Sequence, residues 1–135
     1  MSRWMVFVAG ILGVVAVMIG AYGAHGLENS LIEEGLETEA IEKRLEQCDI
    51  AVRYHMVHVL GLLCIGIMGQ QVAPKLRSAA AVFFLLGISL FSGGLYSMVF
   101  LGQMGHWAIV PSGGLSFMIG WLCLAMTAFL KQANH

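Results

Sequence analysis

"WMVFVAGILGVVAVMIGAYGAHGLENSL" occupies residues 4–31 and joins two incompatible kinds of chain. From Trp4 to Ala24 there is no charged residue, and almost every side chain is apolar or small. Beyond Gly26 the acids begin, and all of them (Glu28, Glu33, Glu34, Glu37, Glu39, Glu42, Glu46 and Asp49) fall before the next apolar run. About 20 consecutive apolar residues cross a bilayer core, so residues 4–24 form a membrane span. Arg3 ahead of it and Ala21-Tyr22-Gly23 at its end loosely imitate a secretory signal. The apolar run exceeds a signal's usual core, and the segment is expected to be retained.

Composition carries the same message through the rest of the chain. Of the 135 residues, 59% are hydrophobic and 11% charged, against roughly 45–50% and about 25% in soluble domains. A water-soluble chain of this length could not hide so much apolar surface. Three more stretches reach membrane-spanning length, about 51–70, 78–102 and 112–130. The expected fold is therefore all-α, a single domain over residues 1–135, an integral membrane four-helix bundle. The acidic segment 28–50 lies between spans one and two.

Net charge is -1, so there is no basic footprint for nucleic acid. Arg3, Lys75, Arg77 and Lys131 fall on one side of the membrane, and Lys43, Arg44 and Arg53 on the other. Basic residues set orientation, and this balance places both termini in the cytoplasm of a bacterial inner membrane. Cys48, Cys64 and Cys123 form no CxxC pair, which leaves disulfide scaffolding and thiol–disulfide catalysis without their basic parts.

Helices in lipid associate through close backbone approach rather than by burying apolar area. Span one offers Ala9, Gly13, Ala16, Gly20 and Ala24 as a packing stripe; span three offers Ser89, Gly93 and Ser97, and span four Ser116 and Gly120. In the acidic segment, Ser30 to Glu33 has capping-box spacing, and Gly35 can close the short helix so started. Thr38 can cap a second helix with Ile41, Leu45, Cys48 and Val52 as its apolar stripe. That amphipathic stretch lies on the membrane surface or runs straight into span two.

Up-and-down connectivity brings the end of span one, the start of two, the end of three and the start of four to one side. His25, Arg53, His55, His58 and His106 fall there, with Tyr22, Tyr54 and Tyr96. Counting about 1.5 Å per residue, His58 and Tyr96 sit at similar depth on different helices, with Ser92 deeper. Ionisable groups inside spans mark functional sites; a neutral His58 bonded to Tyr96 or Ser92 is the simplest arrangement. Pro111-Ser112-Gly113-Gly114 opens span four, where Pro suits the first turn and small residues allow packing or the approach of an anion. The expected polar pocket is His25, Arg53, Tyr54, His58, Ser92, Tyr96, Pro111, Gly113 and Gly114. No cofactor is required by the sequence, and His25, His55 and His58 are the candidate metal ligands.

"GAYGAHGL" (20–27), "AVRYHMVHVLGLL" (51–63), "FSGGLY" (91–96) and "PSGGLSFMIGW" (111–121) run in the order and spacing of a known family. The chain resembles the YgdD/YwdK-type family of small bacterial inner-membrane proteins, which has mitochondrial transmembrane relatives and is filed as a domain of unknown function. The resemblance covers nearly the whole chain and implies four transmembrane helices with no established activity. His25, Tyr54, His58, Ser92, Tyr96, Pro111, Gly113, Gly114 and Trp121 stand at signature positions. His55 stands where the family usually has Gln.

Four function classes follow. A binding or accessory protein, with a one-sided polar pocket for a lipid, a small ligand or a partner helix, asks least of the residues. Membrane lipid is then its first partner, with a partner membrane protein or a second copy as further ones. The alternative is a haem- or copper-binding redox protein using the clustered histidines. A proton-coupled exporter lacks a carboxylate inside any span. An enzyme with His58 as base lacks a visible nucleophile–base–orienter set.

Overall fold

The computed structural model describes residues 2–68, 73–103 and 105–129. Residues 69–72, between spans two and three, and Lys131 lie outside the described residues. The helices are α1 (Arg3–His25), α2 (Leu27–Glu33), α3 (Thr38–Ile67), α4 (Pro74–Gly87), α5 (Gly93–Leu101) and α6 (Ile109–Met126). A π turn, Ile88–Ser92, joins α4 to α5, and a 3₁₀ turn, Thr127–Phe129, follows α6. Four segments are long and apolar enough to cross a membrane: Arg3–His25, Thr38–Ile67, Pro74–Leu101 and Ile109–Phe129.

The ends of these helices have local causes. Pro74 starts α4 in the first turn, earlier than hydropathy indicates, because its missing N–H costs nothing there. Gly102, at φ +63°, ends α5 in a left-handed conformation that favours glycine. Its lack of a Cβ also admits Arg44, since a Cβ there would lie 2.7 Å from Nη2. The Arg44 guanidinium donates to the Val99 carbonyl at 3.3 Å and pairs with Glu34 at 3.6 Å. One arginine thus caps α5, whose last carbonyls lack intrahelical partners, and ties it to the end of α2.

The acidic segment folds tightly onto the bundle. Of the two arrangements open to the amphipathic stretch, it takes the second: Thr38 to Ile67 is one 30-residue helix, about 45 Å long. Ile41 and Cys48 pack with Leu27 and Leu31 of α2 and Val99 of α5 in a small core of their own. α2 starts at Leu27, three residues before the capping-box position, because Gly26 alone makes the turn from α1. Ser30 is therefore inside α2, and its hydroxyl bonds the Tyr22 hydroxyl at 2.8 Å. Gly35, at φ +76°, closes α2 as expected. Glu37 rather than Thr38 occupies the N-cap of α3, without a side-chain cap.

α3 lies at the centre, with α1 on one side and the α4–π turn–α5 span on the other; α6 packs chiefly on α4 and the π turn. Ala9 and Ala16 are buried against α3, and Gly13 and Gly20 approach Val59 and Val52. The stripe ends on Gly23, against Cys48, while Ala24 is exposed. Phe84, fully buried, is wedged between two glycines: a Cβ on Gly61 of α3 or Gly120 of α6 would lie 2.7 or 2.6 Å from its ring. Gly93 and Ser89 make no such contact; a Cβ on Gly93 meets nothing nearer than the Ile88 carbonyl at 3.7 Å, and Ser89 is exposed. Gly94 makes the close approach instead, to Val110. The π turn inserts an extra residue, so the small-residue face projected at regular helical spacing moves on by one position.

Candidate functional site

Tyr54, His55 and His58 lie within two turns of α3, yet they serve two different places. Tyr54 and His58 turn toward α6, and His55 toward α5. The single convergence expected from helix ends is therefore divided in two by α3.

On the α6 side, His58 is buried and its ring stacks on Phe117, with centroids 3.4 Å apart and planes 10° from parallel. Its Nδ1 lies 2.6 Å from the Tyr54 carbonyl, and its Nε2 lies 3.1 Å from Nε1 of Trp121. A carbonyl only accepts and an indole N–H only donates. Nδ1 therefore carries the proton and Nε2 offers its lone pair, so His58 is a neutral imidazole with both nitrogens engaged. Its partners are Tyr54 and Trp121, not the expected Tyr96 or Ser92. As long as those bonds stand, neither nitrogen is available to a metal or as a general base.

Beside this pair runs a lateral groove of about 560 Å³. Arg53, Tyr54 and Val57 form its α3 wall, Phe91 of the π turn its back, and Pro111, Gly114, Leu115, Met118 and Trp121 its α6 wall. From Pro111 to Trp121 it follows α6 for about 15 Å. Val57, Leu115 and Met118 are exposed, so the opening is sideways, onto the lipid-facing surface of the helices. Arg53 stands at the loop end of the groove, hydrogen-bonded to Asp49 one turn earlier and largely exposed.

The Gly-Gly at the start of span four has two roles. Gly113 is buried because α6 rests directly on the π turn there; a Cβ would collide with the Phe91 backbone. Gly114 meets only the Phe91 ring, at 3.7 Å, and leaves room in the groove. Arg53, Tyr54, His58, Pro111 and Gly114 thus share one site, and Gly113 supports it from behind.

The other expected members lie elsewhere. On the α5 side, the Tyr96 hydroxyl is 3.1 Å from His55 Nδ1, and Ser92 is fully buried one turn before Tyr96. His25 is exposed at the end of α1. His106 accepts the Ala108 N–H at 3.3 Å just before α6. Among the described residues, no three His, Cys, Asp or Glu side chains are grouped to hold a metal ion. His25, His55 and His58 have three separate surroundings and do not form a ligand set.

Sequence reasoning did not foresee Phe91, Phe117 or the π turn, nor the role of Trp121. Trp121 had a legible signal: an indole N–H near mid-span needs an acceptor, and a neutral histidine on a neighbouring span is a suitable one.

Residues 19–114 match the family model described as "Protein of unknown function (DUF423)". The chain belongs to this family. It is 37% identical to the UPF0382 membrane protein SH2409 of Staphylococcus haemolyticus, over 88% of this chain and 93% of that one. It is 33% identical to the UPF0382 membrane protein YwdK of Bacillus subtilis, over 91% and 94%. With the UPF0382 inner membrane protein YgdD of Escherichia coli K12 the identity is 34%, over 94% and 90%. The resemblance carried by the four motifs is borne out, and the chain is a multi-pass helical membrane protein. No solved structure matches it.

Proposed function

We propose that the protein is a non-catalytic binding protein of the bacterial inner membrane, whose lateral groove takes an acyl chain of an anionic lipid with its headgroup at Arg53. The groove itself carries this reading: about 560 Å³, aromatic and aliphatic along its length, open toward lipid, with a cation at its loop end. An apolar groove on a span is filled from the bilayer, since water there would find few hydrogen-bond partners. Arg53 stands at the loop end of the groove, where its guanidinium can donate charge-assisted hydrogen bonds to a phosphate headgroup. Asp49 engages one part of the guanidinium, whose five N–H donors leave others for a phosphate. The Tyr54 side chain lines the same end.

Both termini face the cytoplasm on this reading, which puts the acidic segment and Arg53 on the opposite side.

Native mass spectrometry of delipidated protein, titrated with phosphatidylglycerol and with phosphatidylcholine, tests the proposal. Wild type should retain phosphatidylglycerol preferentially. Arg53→Gln should lose the preference, and Val57→Trp, which fills an exposed part of the groove, should lose retention of both. Equal retention of both lipids by all three proteins would sink it.

A further inference from the structure

The face of α3 turned away from the groove holds a second polar place that lipid does not reach. His55 and Ser92 are 2% and 0% exposed. Among the described residues, neither His55 Nε2 nor Ser92 Oγ has a hydrogen-bond partner. Tyr96 bonds His55 across the α3–α5 contact and lies one turn beyond Ser92 on the same helical face. Both orphan atoms are therefore buried where α3 packs against the π turn and α5.

Serines in spans commonly satisfy themselves on the preceding turn. Ser89 does so on the Leu85 carbonyl at 2.9 Å, and Ser116 on that of Ser112 at 3.0 Å. Ser92, the last residue of the π turn, does not. A buried polar group left unpaired costs roughly 1–3 kcal/mol, and π turns recur at functional positions.

The chemistry of the two atoms restricts what can satisfy them. If the Tyr96 hydroxyl donates to His55 Nδ1, then Nε2 carries the proton and needs an acceptor. If Nδ1 donates to Tyr96, then Nε2 is a lone pair and needs a donor. Ser92 accepts or donates equally well. A small neutral molecule that both donates and accepts satisfies the pair in either tautomer.

We infer that a single water molecule is bound between α3 and the π turn, bridging His55 Nε2 and the Ser92 hydroxyl. It makes the π turn part of a polar clasp, Tyr96–His55–water–Ser92, that fixes the third span against α3. Buried waters of this kind hold groups that the chain leaves unpaired. The site is independent of the lipid groove.

The test is nuclear magnetic resonance of ¹⁵N-histidine-labelled protein in detergent micelles, read for magnetisation transfer from water to the His55 ring. Thermal unfolding of Ser92→Ala is measured beside it. A bound water gives a transfer peak at His55 that disappears in S92A. It also lowers the S92A midpoint by about 4 °C, because the water and Nε2 each lose a partner. Without the water, S92A removes an orphan hydroxyl and its penalty, so its midpoint stays or rises. No transfer peak in wild type, or an S92A midpoint unchanged or raised, overturns the inference. Should S92A fail to fold, the wild-type spectrum decides alone.

Discussion

Trp121 of α6 donates its indole N–H to Nε2 of His58 on α3 at 3.1 Å, across 63 residues of sequence. Because His58 Nδ1 is committed to the Tyr54 carbonyl, this bond completes the imidazole and ties the fourth span to the second. Trp121→Phe keeps the ring and removes the donor, leaving Nε2 unpaired away from water. We expect a loss of about 1–3 kcal/mol. His58→Leu with Trp121→Phe should cost less than the sum of the two single changes. A double-mutant cycle by denaturant titration in micelles measures the coupling, and strict additivity would show that the bond contributes nothing.

The two glycines that open α6 should respond differently to the same change. Gly113→Ala places a methyl group against the Phe91 backbone, which cannot rotate away. Either α6 or the π turn must move, at a cost of about 1–3 kcal/mol. Gly114→Ala meets only the Phe91 ring at ordinary contact distance and should be close to neutral for folding. Thermal midpoints of the two variants, compared side by side, check the order; equal effects would contradict the assigned roles.

Phe84 tests the packing of the main core. Gly61 and Gly120 accept its ring from opposite sides. Phe84→Ala should empty that space and cost about 3–5 kcal/mol. Gly120→Ala overfills the same place from the α6 side, and combining it with Phe84→Leu should recover part of the loss. Recovery of folded yield in the double variant is the measurement.

At the loop end, Gly102→Ala meets two penalties at once. Its φ of +63° costs a non-glycine residue roughly 1–2 kcal/mol, and the new Cβ displaces the Arg44 guanidinium from the end of α5. Arg44→Gln loses only the second contribution together with the Glu34 pair. Hydrogen exchange of the amides around Val99 should rise in both variants, and more in Gly102→Ala.

Much of the architecture is legible because lipid imposes simple rules. Runs such as residues 4–24 have one physical reading, and the joints at Pro74 and Pro111 mark helix starts by the chemistry of proline. The site was harder to read for one reason. His55 and His58 are three residues apart, which puts them near one face in a helical projection, but they lie on either side of the line where α3 divides its neighbours. Which side each takes depends on the rotation of α3 against α5 and α6. That rotation is set by the π turn, by Gly113 meeting the Phe91 backbone and by Gly120 meeting the Phe84 ring. The π turn has no sharper mark in the sequence than Ser92-Gly93-Gly94, and the choice of Gly94 over Gly93 follows from it alone.

α3 runs unbroken from Thr38 to Ile67, and at about 45 Å it exceeds the roughly 30 Å of a bilayer's hydrocarbon core. Its acidic first turns and the wall formed by Arg53, Tyr54 and Val57 are consequently parts of one stiff rod. A load applied at Glu39 or Glu42 has no hinge in which to dissipate before it reaches Tyr54. The small core of Leu27, Leu31, Ile41, Cys48 and Val99, which holds those first turns, therefore also steadies the Tyr54 wall of the groove against Pro111.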